Sequence, residues 1–132
     1  MSIKLGYVIA YVQDVERTIG FYERAFGLTR RFVTEGADYG ELDTGATVLA
    51  FASEALADAH HPDGYASTRP DGEPRAFEIA LVTDDVQAAV DAALREGASM
   101  LKAPEQQPWG QTVAWLRDPD GLTMEICTRV QG

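Results

Sequence analysis

The stretch that decides the fold is WGQTVAWLRDPDGLTMEI, residues 109–126. Its centre, DPDG (118–121), suits a type I turn because Asp stands first, Pro second and Gly fourth. The residues on either side predict two strands, 111–117 and 122–128, with alternating faces. The second strand carries one carboxylate, Glu125, among apolar neighbours. That position raises the question of whether Glu125 is a metal ligand or a cleft carboxylate without a metal.

These strands complete a longer pattern. Residues 76–83, AFEIALVT, predict a strand. Asp85 is a typical helix N-cap and Gly97 a typical helix end. Between them, apolar residues fall at helical spacing: Val86, Ala89, Val90, Ala93 and Leu94. With a further strand at 99–103, residues 76–132 predict one βαβββ module.

The N-terminal part shows the same order of elements. A strand at 4–12 is followed by Asp14, which stands 71 residues before Asp85, and by a helix that ends at Gly27. Three strands follow, at 29–35, 39–43 and 46–52. We therefore interpret 1–52 as module one. Because neither sheet alone could bury both of its faces, the chain predicts an α+β fold built from two βαβββ modules.

Residues 53–75 form the predicted linker between the modules. Proline and glycine are frequent in it, which indicates a loop. Loops of this length are often lids or binding loops, and a plain spacer is an equally open alternative. The chain's two histidines, His60 and His61, lie here rather than on a strand, and we expect them to be solvated surface residues.

Composition limits the classes of partner. The chain has 132 residues, enough for one domain, and its 11 basic and 21 acidic residues give a net charge of −10. That balance argues against nucleic acid and anionic membranes, which are bound through Lys and Arg. The single cysteine, Cys127, cannot form an internal disulfide, and no segment has the length of a membrane helix. We expect a cytoplasmic protein.

Three segments carry a resemblance to a known family. They are YVIAYVQDVERTIGFYERAFGL (7–28), FEIALVTDDVQAAVDAALREGA (77–98) and PWGQTVAWLRDPDGLTMEI (108–126). Together they resemble the vicinal-oxygen-chelate superfamily, which includes glyoxalase I, bleomycin-resistance proteins and extradiol dioxygenases. The resemblance implies a single domain over 1–132. Its two modules would form an open, cup-shaped mixed sheet with the helices outside, and the protein would be a homodimer.

The resemblance also implies where a metal would bind. In metal-dependent members, four ligands stand on the first and last strands of the two modules. The matching positions here are Tyr7, Glu78, Glu125 and either Leu49 or Ala50. Two carboxylates without imidazole suit a transition metal poorly, although magnesium would tolerate them with more oxygen ligands. We therefore expect no metal cofactor; a divalent metal on Glu78 and Glu125 is the alternative.

The two carboxylates are candidate catalytic groups. Period-2 alternation places Glu78 and Glu125 on the less apolar face of their strands, which suits the cleft. Two like charges at close range would raise the pKa of at least one of them, as a general base requires. The alternative is that Glu125 is a buried polar group hydrogen-bonded to Gln111 or Tyr7.

Aromatic and amide side chains are candidate ligand-binding residues, because a cleft with aromatic walls and acidic groups suits a flat or cationic molecule. They are Tyr7, Tyr11, Phe51, Trp109, Gln111 and Trp115, with Tyr39 as a further wall residue. For each, a place in the core is the alternative. Cys127 has no neighbouring base in the sequence, so we expect a small buried residue rather than a nucleophile.

Three functions follow from these expectations. The first is a small-molecule-binding protein of the bleomycin-resistance type, without metal or turnover. The second is a glyoxalase-I-like lyase or isomerase that uses Glu78 and Glu125, so whether the protein is an enzyme stays open. The third, a dioxygenase, ranks last because the two histidines of its usual iron site are absent from the matching positions.

Overall fold

The structure is a computed structural model, in which residues 1–130 are described. The chain divides into two compact units, one from Met1 to Ser67 and one that starts at Thr68. Each unit contains one βαβββ module, and one further helix lies in the first unit. The α+β class and the repeated module predicted from the sequence are confirmed.

Module one forms a four-stranded mixed sheet. Its elements are β1 (Tyr7–Val12), α1 (Val15–Phe26), β2 (Thr29–Val33), β3 (Tyr39–Asp43) and β4 (Val48–Ser53). The strand order is β1-β4-β3-β2, with β1 parallel to β4 and the other pairs antiparallel. The predicted strands are therefore confirmed, with ends that differ by a few residues.

Helix α1 begins and ends where the sequence predicts. The Asp14 side chain accepts a hydrogen bond from the backbone N of Arg17 at 3.0 Å, and Gly27 ends the helix in the left-handed conformation, with φ of 67°. Val15, Ile19 and Tyr22 are buried. This apolar stripe packs α1 on one face of the sheet.

A helix in the predicted linker was not anticipated. Helix α2 covers Glu54–His60, begins after the cap Ser53 and packs against β1 and β4. The prediction of a loop is wrong for these residues. Their composition, EALADAH, contains good helix formers, and the prolines and glycines start only at Pro62. Ala57, which is fully buried, lies on the side of this short helix that packs against the sheet.

Module two repeats the architecture. Its elements are β5 (Glu78–Val82), α3 (Val86–Arg95), β6 (Ser99–Gln106), β7 (Thr112–Arg117) and β8 (Thr123–Cys127), in the strand order β5-β8-β7-β6. Asp85 caps α3 by accepting from the backbone N of Ala88 at 3.0 Å. The helix ends one residue before Glu96, its C-cap, and Gly97 follows with φ of 106°.

The turn between β7 and β8 has the predicted structural role. The N–H of Gly121 donates to the carbonyl of Asp118 at 2.9 Å, and the Asp118 carboxylate accepts from the backbone N of Asp120 and of Leu122. Arg117 donates to three carbonyls around the turn, including that of Arg69 at 2.8 Å. The aspartates are therefore turn formers.

The two sheets also share their irregularities. A bulge interrupts β2 between Arg30 and Phe32, and one interrupts β6 at the matching place, between Met100 and Lys102. Strand β6 has a second irregularity, between Lys102 and Glu105. In residues 1–130, no helix is long and apolar enough to cross a membrane.

Candidate functional site

The face of module two opposite α3 carries the predicted acidic residues. The parallel pair β5–β8 sets Glu78 opposite Thr123 and Ala80 opposite Glu125, and the antiparallel pair β7–β8 sets Trp115 opposite Glu125. Met124 and Ile126, which alternate with these residues on β8, are fully buried on the other side. Glu78 and Glu125 therefore lie on adjacent strands of the same face.

The two carboxyl groups influence each other electrostatically. Partial burial raises the pKa of Glu78 above its usual value of 4.5, and the charge and hydrogen bonding of Glu125 raise it further, while hydrogen bonding by Trp115 lowers it. The structure therefore has both carboxylates on adjacent strands of one face, as the alternation predicts; a catalytic role stays a prediction.

Trp115 links this acidic pair to a cation. The Nζ of Lys102 lies 5.5 Å from the centroid of the Trp115 ring, within the range of cation–π contact. Lys102 comes from the neighbouring strand, where it stands opposite Trp115. The ring of Trp115 thus faces a positive group on the strand next to that of Glu125.

The alternative hydrogen bond between Glu125 and Gln111 is not formed. The Gln111 amide nitrogen donates to the carbonyl of Thr128 at 2.7 Å, and its oxygen accepts from Trp109 Nε1 at 2.6 Å. Both ends of the amide are occupied at the end of the β7–β8 hairpin. Trp109 is 59% exposed, and its predicted contact with a ligand, like that of Gln111, stays a prediction.

Cys127 is a buried residue on this face, as expected. Its side chain is 2% exposed, and burial, followed by hydrogen bonding and charge of Glu125, raises the pKa of the thiol to about 11. Since the thiolate is the nucleophile, these surroundings make Cys127 unreactive.

In module one, the structure separates the predicted ligand-binding residues. Tyr7 is 56% exposed on the face opposite α1, and Tyr11 lies on the same face. Phe51 points the other way: it is fully buried and stacks on Tyr22 of α1, with ring centroids 5.2 Å apart. The prediction that Phe51 contacts a ligand is wrong, because its side chain belongs to the core between sheet and helix.

Tyr11 and the histidines form an aromatic cluster. The Tyr11 hydroxyl lies 3.1 Å from Nδ1 of His60, and the Tyr11 ring is 5.5 Å from that of His61 and 6.5 Å from that of Tyr65. Nδ1 of His61 donates to the carbonyl of Ala57 at 2.9 Å. The histidines are exposed, as expected, but they close the end of α2 rather than lie in a loop.

Module one contains a buried carboxylate, Glu41, that is not among the candidate residues predicted from the sequence. Glu41 is 6% exposed and accepts a hydrogen bond from the Tyr39 hydroxyl at 2.7 Å, and its other oxygen lies 3.2 Å from Nε of Arg31. Burial and Glu41 together raise the pKa of Tyr39. Tyr39 and Glu41 are two residues apart on β3, so strand alternation would place both side chains on the same face.

The donor set does not fit a metal centre. Of the matching positions, Glu78 and Glu125 carry carboxylates, and Ala50, which stands where Glu125 does in module two, has no donor atom. Within residues 1–130, no group of three or more His, Cys, Asp or Glu side chains is placed to hold a metal ion. Two carboxylates without imidazole suit a transition metal poorly, and a hard ion such as magnesium usually needs more oxygen ligands.

The fold and these positions agree with a family assignment. The model of the Glyoxalase/Bleomycin resistance protein/Dioxygenase superfamily matches residues 4–126, nearly the whole chain. The chain belongs to this superfamily. A solved structure of a glyoxalase/bleomycin resistance protein/dioxygenase family enzyme from Burkholderia phytofirmans PsJN superimposes with a TM-score of 0.81 at 23% identity, covering 98% of this chain and 100% of the other. That likeness supports the glyoxalase fold.

Sequence relatives within the superfamily differ in length. A putative lactoylglutathione lyase from Brassica oleracea var. gemmifera is 28% identical over 93% of this chain, which spans only 43% of that protein. The uncharacterized protein YraH from Bacillus subtilis (strain 168) is 26% identical over 94% of this chain and 97% of its own length. The sequence similarity thus extends over a protein of similar size and over part of a longer one.

Proposed function

We propose that this glyoxalase-superfamily protein binds a small cationic, aromatic molecule on the face of module two opposite α3, without a metal. The observation that carries the proposal is the placement of Glu78 and Glu125, the family-position carboxylates, on adjacent strands of one face, where Glu125 raises the pKa of Glu78. A carboxyl group with a raised pKa takes up a proton at a higher pH, and an organic ammonium group would compete with that proton for the pair.

The surroundings of the pair support this class of ligand. Trp115 stands opposite Glu125 on the neighbouring strand and already contacts the ammonium group of Lys102. An aromatic ring next to two carboxyl groups favours a ligand that combines positive charge with a flat apolar part. The net charge of −10 adds long-range attraction for cations.

The test is a calorimetric titration of the purified protein with phenethylammonium, compared with Mg²⁺, Ni²⁺ and Zn²⁺. We expect binding of the organic cation, and Glu78→Gln or Glu125→Gln should weaken it by about tenfold, equivalent to ~1.4 kcal/mol. Glu35→Gln is the matched control, since it removes one exposed carboxylate in module one. Stoichiometric binding of a divalent ion, with no binding of the organic cation, would contradict the proposal.

A lyase or isomerase is the second candidate. The raised pKa of Glu78 favours it, because a general base works best when its pKa approaches the working pH. The relative named as a putative lactoylglutathione lyase supports the same reaction class. In a lactoylglutathione lyase assay, Glu78→Gln should abolish turnover while circular dichroism shows an unchanged fold. Full activity in both Glu78→Gln and Glu125→Gln would contradict this candidate function.

Dimer formation stays a prediction of the family resemblance. Light scattering coupled to size-exclusion chromatography of the wild-type chain measures it directly, and a mass of one chain, 14.4 kDa, would contradict it.

A further inference from the structure

A β-bulge gives Arg31 an unusual position in module one. Arg30 pairs with Leu42 and Phe32 pairs with Glu41, so Arg31 is the extra residue of β2. Arg30 turns towards α1, where it binds two glutamates. The bulge instead sends Arg31 to the opposite face, where it meets Glu41. Bulges are known to redirect side chains in this way near functional sites.

Glu41 holds the guanidinium by one side only. Its Oε1 lies 3.2 Å from Nε of Arg31, while its Oε2 accepts from the Tyr39 hydroxyl at 2.7 Å. Glu41 is 6% exposed and both of its oxygens have partners, so its carboxylate is held in one position. The ion pair with this carboxylate orients the Arg31 side chain.

The other side of this guanidinium is available. Among residues 1–130, Nη1 and Nη2 of Arg31 have no hydrogen-bond or ion-pair partner, and the side chain is 50% exposed. The terminal nitrogens of Arg30 bind Glu16 and Glu23, and those of Arg117 bind carbonyls. Two parallel N–H groups on a guanidinium match the two oxygens of a carboxylate or a phosphate.

An exposed aromatic side chain follows Arg31 on the same face. Phe32 is 42% exposed, with its ring 6.0 Å from that of Tyr39. We propose that Arg31, oriented by Glu41, binds the carboxylate or phosphate group of a small ligand whose apolar part contacts Phe32. The proposal rests on residues of module one alone and does not depend on the cation site proposed for module two.

The test uses benzoate, inorganic phosphate and neutral benzamide, with binding followed by chemical shifts of backbone amides in β2 and β3. We expect saturable shifts with at least one oxyanion and weaker or no shifts with benzamide. Arg31→Gln should reduce the affinity by about tenfold or more. Arg31→Lys keeps the charge and the contact with Glu41 but cannot make two parallel hydrogen bonds, so we expect a loss of about fivefold.

Arg95→Gln is the matched control, because Arg95 is an exposed arginine at the end of α3 in the other module. Its affinity for the oxyanion should equal that of the wild type. Binding of benzoate alone identifies a carboxylate, and binding of inorganic phosphate identifies a phosphate. Absence of saturable binding by either, or an equal loss in Arg95→Gln and Arg31→Gln, would overturn the proposal.

Discussion

The two modules share strand order, register and a bulge, but the partners of their carboxylates differ. In module one, Glu41 is buried, and a cation and a hydroxyl, Arg31 and Tyr39, satisfy it. In module two, Trp115 occupies the register position of Glu41, and the carboxylates stand on the strands beside it. No ion pair to Glu78 or Glu125 is present in residues 1–130, and the neighbouring Glu125 contributes to a raised pKa of Glu78 instead.

This difference separates a carboxylate with fixed partners from a pair that lacks them. Glu41 has a cation and a hydroxyl as partners within its own module. Two neighbouring carboxyl groups without a cation raise the pKa of at least one of them and favour a positively charged ligand. Stability measurements on the two modules test this account, from the largest expected change in the free energy of unfolding to the smallest.

The largest effect should come from the helix-facing side of module one. Phe51→Ala removes a fully buried ring that stacks on Tyr22, so we expect a loss of about 3–5 kcal/mol in the free energy of unfolding. Tyr7→Ala, on the exposed side, should cost about 1 kcal/mol or less. Urea denaturation measures both. Equal losses would contradict the assignment of the two residues to opposite faces.

The next experiment compares one carboxylate from each module. Glu41→Gln removes the charge that Arg31 and Tyr39 bind, and should destabilise by about 1–2 kcal/mol. Glu125→Gln removes like-charge repulsion, so the free energy of unfolding at pH 7 should stay within about 0.5 kcal/mol of the wild type or rise. Urea denaturation at pH 7 gives both values. Equal losses of unfolding free energy in the two variants would contradict the proposed difference between the carboxylates of the two modules.

Stability should also depend on pH through Glu78. Its pKa is raised above the usual 4.5 in the folded protein, so the folded chain retains a proton that the unfolded chain releases. The associated stability is complete below about pH 4.5 and is lost as the pH rises through the raised pKa. Relative to wild type, Glu78→Gln should therefore gain stability from pH 4.5 upward, by about 0.5 kcal/mol after allowance for solvent screening.

Thermal or urea unfolding of both chains between pH 4 and pH 8 measures the difference, with Glu35→Gln as the control. If the stability difference between Glu78→Gln and wild type does not change with pH, the pKa of Glu78 is not raised in the folded protein.

A measurement of reactivity concerns Cys127, which lies beside Glu125. With a thiol pKa of about 11 and a side chain that is 2% exposed, its alkylation by iodoacetamide at pH 7.5 should be at least about 100-fold slower than in the urea-unfolded chain. Mass spectrometry of the alkylated protein follows the reaction. Similar rates in the folded and unfolded chains would show that the strand end opens readily.

The sequence alone predicts the features that depend on local chemistry. The caps Asp14 and Asp85 and the DPDG turn are recognisable because each satisfies specific backbone groups within a few residues. Glu78 and Glu125 could be placed on one face because their strands alternate clearly between apolar and polar side chains.

The remaining features depend on contacts that are distant in the sequence. Strand β4 is apolar on both faces, so alternation could not place Phe51, and only its contact with Tyr22 does. The bulge at Arg31 has no glycine or proline to mark it, so the pairing with Glu41 was not foreseen. Helix α2 is only seven residues long, too short for a helical period to be recognised.

The central claim is that an organic cation competes with a proton for the pair Glu78 and Glu125. Titration calorimetry with phenethylammonium near pH 5, in two buffers of different ionisation enthalpy, tests it most directly. We predict that binding releases protons, that the observed enthalpy therefore changes with the buffer, and that Glu78→Gln loses this dependence. Binding of the cation without proton release, or equal proton release in wild type and Glu78→Gln, would contradict the claim.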